Sequence, residues 1–399
     1  MRTNTNSKKI EEILTRGVKE IIDKDVLKKR LLSGKKLRIK YGVDPTKPDI
    51  HLGHTIPLRK LEEFQKLGHT IVFIIGDFTA QIGDPSGRPK ARVPLNTKQA
   101  SKNAKTYLEQ VKKIIDLKGV EIQRNSKWYS KMNLKDIIRL IELFTIARIL
   151  ERDDFTKRIK ANTDIRLHEI LYPIFQAYDS VVVGSDVEVG GTDQKFNMLM
   201  GRTLQKRLNK PQQNLITLPL LVGLDGKDKM SKSLNNYIGI TESSQEQYGK
   251  IMSIPDNIIF HYFELATKIP LKEIIQMKKD LKSGKTNPKE LKTRLAQEIV
   301  SIYHSKREAI EVKREFKRVF KEKKLPRKIP QMQIKEKTLN ILELLVKTKL
   351  APSKAEAKRL ISQKGVRIDK KVQDNWQKEI KIKKGMIVQV GKRRFKKLI

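Results

Sequence analysis

Cysteine is absent from the 399-residue chain. That single fact removes disulfide scaffolds, thiolate zinc sites, iron–sulfur clusters and cysteine nucleophiles. Acidic residues are scarce, with 45 Asp+Glu against 86 Lys+Arg, a formal net charge of +41. Long apolar runs are missing as well. The longest, such as Ile71-Val72-Phe73-Ile74-Ile75, are strand-sized and too short to cross a bilayer. The first seven residues, Met1 to Ser7, hold no apolar core of a signal peptide. Neither G-x-x-x-x-G-K-[ST] nor G-x-G-x-x-G after a strand occurs, so the common nucleotide loops are excluded. A soluble, cytoplasmic protein with no membrane partner is expected.

What remains is enough to fold. Apolar residues make up 38% of the chain, and this length usually divides into two or three domains. The basic excess has two readings: a polyanion binder, whose cations release counterions from phosphates, or lysine filling solvated positions. Composition does not choose between them. The excess runs along the whole chain and thickens towards the C-terminus, where residues 337–399 count 19 Lys+Arg against 5 Asp+Glu.

The first two-thirds predicts an α/β fold. Leu37 to Val43 alternates like a strand, and the polar turn Asp44-Pro45-Thr46-Lys47-Pro48-Asp49 follows. A helical pattern starts near His54, carries Leu58, Leu61, Phe64 and Leu67, and stops at Gly68. Thr70 to Ile75 reads as a buried strand. Strand, helix and strand in that order make a βαβ unit and imply a parallel sheet. Further strands are expected at Val181-Val182-Val183 and from Leu218 to Val222. Between Lys135 and Ile159 the pattern is helical and rich in Ile and Leu, fitting either a core helix or a subunit interface.

Strand signals vanish between Glu246 and Phe320, where Asn287-Pro288 opens a long helical pattern. Residues 325–330, Leu-Pro-Arg-Lys-Ile-Pro, read as a linker. Beyond it, Thr338 to Lys347 is amphipathic, and Ser353-Lys354-Ala355-Glu356 is a capping-box sequence opening a second helix that Gly365 closes. Strand-like alternation begins at Val366 and resumes from Met386 to Val390. The predicted organisation is therefore an α/β domain over 1–245, a helical domain over 246–325 and a small α+β domain over 331–399.

Two short segments carry chemistry. The turn at Asp44 to Thr46 leads into His51-Leu52-Gly53-His54 at the start of a helix. Backbone N–H groups and the dipole there favour an anion, two imidazoles can donate to phosphate oxygens, and Gly53 allows close approach. The same histidines also suit plain capping, and no further zinc ligand stands nearby. The second segment is Lys229-Met230-Ser231-Lys232-Ser233, preceded by Asp225-Gly226. It reads as a loop whose two lysines can meet one polyanion, or as an ordinary solvated surface.

Together and in this order, these segments resemble the "HIGH" and "KMSKS" elements of class I aminoacyl-tRNA synthetases. Gly83-Asp84-Pro85-Ser86-Gly87-Arg88, Tyr172-Pro173-Ile174-Phe175-Gln176-Ala177-Tyr178-Asp179 and Gly190-Gly191-Thr192-Asp193-Gln194 narrow the resemblance to the tyrosyl-tRNA synthetases. The block after the linker resembles an S4 RNA-binding domain, its helix from Ser353 leading to Val366-Arg367-Ile368-Asp369. The resemblance implies a Rossmann-like catalytic domain, a helical anticodon-binding domain and an S4-like domain. It implies a homodimer that joins L-tyrosine to tRNA(Tyr), using ATP as a substrate with Mg²⁺, with no bound organic cofactor and no structural zinc.

The resemblance also assigns residues. Thr46, His51 and His54 hold the phosphates as charge moves, and Lys229 with Lys232 closes over the leaving pyrophosphate. Asp44, Gly53, Gly191, Asp193 and Gln194 line the ATP site, with Asp193 accepting from the ribose. Asp84, Tyr172 and Gln176 meet the tyrosine ammonium, and Asp179 meets the phenol. Positions 172, 176 and 179 share one helical face, as a single pocket wall requires. One departure stands out. Many family members carry a tyrosine two residues before the glycine of the Gly-x-Asp-Pro-Thr run, where this chain has Lys40, with Tyr41 pointing to the opposite face. The alternatives are a tryptophanyl-tRNA synthetase, which shares the fold, and a non-catalytic RNA-binding protein on a synthetase frame.

Overall fold

A computed structural model describes residues 3–86, 95–320, 322, 325, 329–391 and 394–399. Gly87 and Arg88, and linker residues 326–328, lie outside them. Six strands form the main sheet: β1 (Glu20–Ile22), β2 (Arg38–Val43), β3 (Thr70–Ile75), β4 (Glu121–Arg124), β5 (Val187–Gly191) and β6 (Asn214–Leu218), in the order β1-β6-β5-β2-β3-β4. All neighbours run parallel except β1, which pairs antiparallel with β6. The chain leaves β2 in one direction, through helix Leu52–Lys66 to β3. It continues from β5 in the other, through helix Lys195–Arg207 to β6. The carboxyl ends of β2 and β5 therefore face a crevice at the point where the winding reverses, the usual ligand position in such sheets.

The helix after β2 begins at Leu52, two residues earlier than the periodicity suggests, with His51 as its N-cap. Two expected strands are corrected. Val181 and Val182 close the helix Leu167–Val182 instead, and Val183 packs beneath Val72 and Ile74. Of the three valines only Val183 is buried there, and Val182 is exposed. The strand expected from Leu218 ends there, because Pro219 follows and cannot continue the ladder. It starts instead at Asn214, whose buried amide donates to the carbonyls of Ile22 and Asp23.

By packing, the chain forms two compact units. One holds the chain up to Glu242 with Ser253–Leu295, and the other holds Ser243–Met252 with the chain from Ala296 on. In the second unit helix Ser244–Met252 meets helix Lys306–Phe320, Tyr248 against Phe316. Its C-terminal part has its own core of Leu, Ile and Val side chains from Leu339 to Leu398. Thr338–Asn340 is a short strand and the amphipathic helix is Ile341–Lys347. Ser353 caps helix Lys354–Ser362 by accepting from the Glu356 N–H. A five-stranded sheet runs Lys371–Gln373, Val366–Ile368, Ile387–Val390, Arg394–Leu398, Gln331–Met332, the last two parallel. Asp369 and Lys370 make its first hairpin turn, both at positive φ, the backbone a two-residue turn demands.

Candidate active site

Where β2 ends, Asp44 accepts from two directions, from Thr79 Oγ1 at 2.7 Å and from the Tyr172 hydroxyl at 3.0 Å. A Cβ on Gly76 would lie 2.1 Å from Asp44 Oδ1, so only glycine lets β3 pass beneath it. Thr46 follows in a turn whose carbonyl at Pro45 is held by Asn103, while Gln110 holds Pro48 and the Ile50 N–H.

The two motif segments meet, although some 180 residues separate them. The Leu52 N–H donates to Ile238 O at 2.9 Å and the Ile240 N–H to Ile50 O at 3.0 Å, tying the stretch after the lysine-rich loop to the helix start. The His51 N–H donates to His54 Nδ1 at 3.2 Å, which leaves the His54 proton on Nε2. Burial, with His54 and Lys232 nearby, drives the His51 imidazole far below its ordinary range, so it is neutral at pH 7. Its Nδ1 has no hydrogen-bond partner among the described residues. Lys229 Nζ lies 3.0 Å from Asp193. Lys232, its side chain 11% exposed, contacts the Asp49 carbonyl and carboxylate. The two lysines are thus engaged separately.

All of these groups line one cavity of about 620 Å³ with Asp84, Tyr172, Gln176, Asp179, Gly191 and Gln194. Every site residue expected from the sequence is on its wall. A Cβ on Gly191 would come within 2.9 Å of Leu220, and one on Gly53 within 3.1 Å of the His51 ring. Asp84 is held by Ser86, through N–H at 2.9 Å and Oγ at 2.5 Å, and by Gln194 Nε2 at 2.7 Å. Burial works to raise its carboxyl. The Arg152 guanidinium, with Ser86 and Gln194, more than offsets this and keeps it below the usual range.

At the other end stands Asp179, buried and pushed up to about 6 by desolvation, which Lys40 and three donors only partly oppose. Those donors are Trp128 Nε1 (2.9 Å), Tyr129 OH (2.8 Å) and Asn125 Nδ2 (3.3 Å). With one bond on Oδ2, the carboxylate retains an acceptor site for a ligand hydroxyl. Lys40 turns to helix Leu167–Val182, donating to Gln176 O, Ser180 Oγ and Glu188 in an ion pair only 1% and 3% exposed. Tyr41 packs edge-on against Phe73.

Sequence reasoning missed Asn125, Trp128, Tyr129, Arg152, Glu188 and Asn197. Most lie in segments without a local signal. Lys40 and Glu188 did carry one, since each is a charge inside an apolar strand, and they are register partners across β2 and β5.

The arrangement offers donors for a polyanion at one end, acceptors for a cation in the middle and one acceptor at a closed end. A family model described as tRNA synthetases class I (W and Y) matches residues 32–321, and one described as the SYY-like C-terminal domain of tyrosine–tRNA ligase matches 321–398. The tyrosine–tRNA ligase of Moorella thermoacetica is 47% identical over 97% of this chain and 94% of its own length. Tyrosine–tRNA ligase 2 of Clostridium acetobutylicum is 46% identical, covering 97% and 98% respectively. Among solved structures, tyrosyl-tRNA synthetase of Archaeoglobus fulgidus complexed with L-tyrosine is similar in fold, with a TM-score of 0.64 at 22% identity, over 77% of this chain and all of that one.

Proposed function

Because the chain belongs to the tyrosine–tRNA ligases of class I, we propose that the cavity joins L-tyrosine to ATP, releasing pyrophosphate, before transfer to tRNA(Tyr). The observation that carries this reading is the meeting of the two distant motif segments over one cavity whose far end is a buried carboxylate. The tyrosine carboxylate is already ionised at pH 7 and attacks the α-phosphate without a general base. Catalysis is then positioning and stabilisation of charge on phosphoryl oxygens.

In this reading His51 and His54 act as neutral donors to phosphate beside Thr46, and Lys229 and Lys232 leave their acidic partners for the pyrophosphate. Asp193, released from Lys229, accepts from the ribose, near Gly191, Gly53, Asp44 and Gln194. Asp84, Tyr172 and Gln176 take the ammonium. Asp179 takes the phenol. Mg²⁺ would accompany the ATP as part of the substrate, offsetting charge on its phosphates. Amino-acid-dependent ATP–pyrophosphate exchange with all twenty amino acids tests the reading. Tyrosine alone should drive it, and equal exchange with tryptophan would move the assignment to the sister branch.

A homodimer belongs to the same proposal. The helices between 134 and 182 leave Leu134 73%, Leu167 80% and Ile146 64% exposed, with Ile138 and Ile159 about half exposed, more apolar surface than a solvated face carries. Sedimentation at micromolar concentration should give twice the 46.2 kDa chain mass. An active monomer would remove the idea.

The functional division proposed is a catalytic part over 1–245, an anticodon-binding part over 246–325 and an RNA-binding part over 331–399, working in the cytoplasm. The last carries exposed Lys358, Arg359, Arg367, Lys370 and Lys371 around its helix–strand junction. Ending the chain at Pro330 should leave adenylate formation within about twofold and lower tRNA charging at least tenfold at low salt, the deficit narrowing as salt rises because the intact chain's phosphate contacts weaken more steeply. Unchanged charging would show the block to be a soluble appendage.

A further inference from the structure

Arg152 is a buried cation that the activation chemistry does not use. It caps the helix Asp153–Lys160 and is 4% exposed. Its guanidinium lies against the rings of Phe155 and Phe196, 5.2 and 6.0 Å from their centroids. Every nitrogen is engaged: Nε with Asp154 at 2.6 Å, one terminal nitrogen with Asn197 Oδ1 at 3.1 Å, the other with Ser86 Oγ at 2.6 Å. The arginine is not on the cavity wall. It stands behind it, 3.6 Å from Asp84, too far for a hydrogen bond.

Both of its neutral partners point onward. Ser86 accepts from Arg152 and donates to Asp84. Asn197, fully buried, presents its amide to Gln176 Oε1 at 3.0 Å and Gln194 Oε1 at 3.1 Å, while Gln194 donates to Asp84. Three cavity-facing groups from three separate elements are thereby fixed through one planar cation.

We propose that Arg152 is a positioning residue for the ammonium end of the substrate, acting through Ser86 and Asn197 on Asp84, Gln176 and Gln194. The proposal rests on the tyrosine reading of the cavity. A rigid fork suits the task because its donors leave in fixed directions, which a lysine cannot reproduce. The ammonium contact is made in the ground state as well as the transition state, so its loss belongs in KM more than in kcat.

A merely structural arginine would affect every ligand of the pocket alike. Two inhibitors of tyrosine-dependent exchange separate the cases: tyramine, which keeps the ammonium, and 3-(4-hydroxyphenyl)propanoate, which lacks it. Arg152→Met should raise the tyrosine KM and the tyramine Ki at least tenfold, with kcat within threefold, and leave the propanoate Ki within twofold. Arg152→Lys should recover part of the loss, and Ser86→Ala should reproduce it more weakly. These two variants carry the same comparison if Arg152→Met does not fold. Equal weakening of both inhibitors, or no change in either, overturns the proposal. Wild-type exchange that ignores tyrosine would overturn the reading of the cavity instead.

Discussion

Lys232→Ala should slow tyrosyl-adenylate formation by about 10²–10³-fold, a loss of ~3–4 kcal/mol typical of one preorganised group aimed at developing charge. Tyrosine affinity should move less than threefold. The side chain is largely withdrawn from water beside Asp49, and burial lowers its ammonium although the Asp49 carboxylate works against that. A cation that donates to the Asp49 carbonyl, with the carboxylate of the same residue 3.9 Å away, has little to give a free amino acid at the far end of the cavity. Its charge matters when pyrophosphate separates. Single-turnover measurement of adenylate formation, with tyrosine affinity from equilibrium dialysis, checks both halves. A parallel fall in affinity and rate would show that the loop shapes the amino-acid pocket.

Asp179→Asn should cost tyrosine about 10²-fold in kcat/KM and leave phenylalanine nearly where it was, because a hydrogen bond to a buried charge is worth ~3 kcal/mol. The amide also brings two donors of its own into a place where Trp128, Tyr129 and Asn125 already donate. An unchanged tyrosine-to-phenylalanine ratio would contradict the assignment. The pH profile gives a second handle. Burial raises the Asp179 carboxyl to about 6, so the acceptor is intact above that pH and becomes protonated below it. The kcat/KM for tyrosine should be flat above pH 6 and fall about tenfold per unit below, since it reports the free enzyme. His51 is neutral throughout this window, its imidazole held far lower. In Asp179→Asn the acid limb should vanish.

Local periodicity carried the first βαβ unit in the sequence because β2, helix Leu52–Lys66 and β3 each bury a face defined within their own residues. It failed where burial comes from afar. Val181 and Val182 belong to a helix despite their β-branched side chains, and β6 includes Asn214 and Thr217, polar groups buried at 1% exposure and satisfied by β1 and its following turn. The site divides in the same way. Groups that face the cavity lie in compact motifs, such as Tyr172, Gln176 and Asp179 on one helix. The groups behind them, Arg152, Asn197, Asn125 and Trp128, come from stretches whose roles depend on three-dimensional proximity alone. Lys40 is instructive: a charge in an apolar strand calls for a partner, and only the β2–β5 register supplies Glu188.

The C-terminal sheet is closed by a strand far in sequence from the one it completes. Arg394–Leu398 lies between Ile387–Val390 and Gln331–Met332, and Leu398 reaches the core at 1% exposure. During synthesis those residues emerge long after Gln331–Met332, with which they pair. All six strands of the larger sheet have been made by residue 218, so that sheet can fold while translation continues, as N-terminal domains commonly do. The smaller sheet closes later: Gln331–Met332 has no neighbour to pair with until Arg394–Leu398 has also been made.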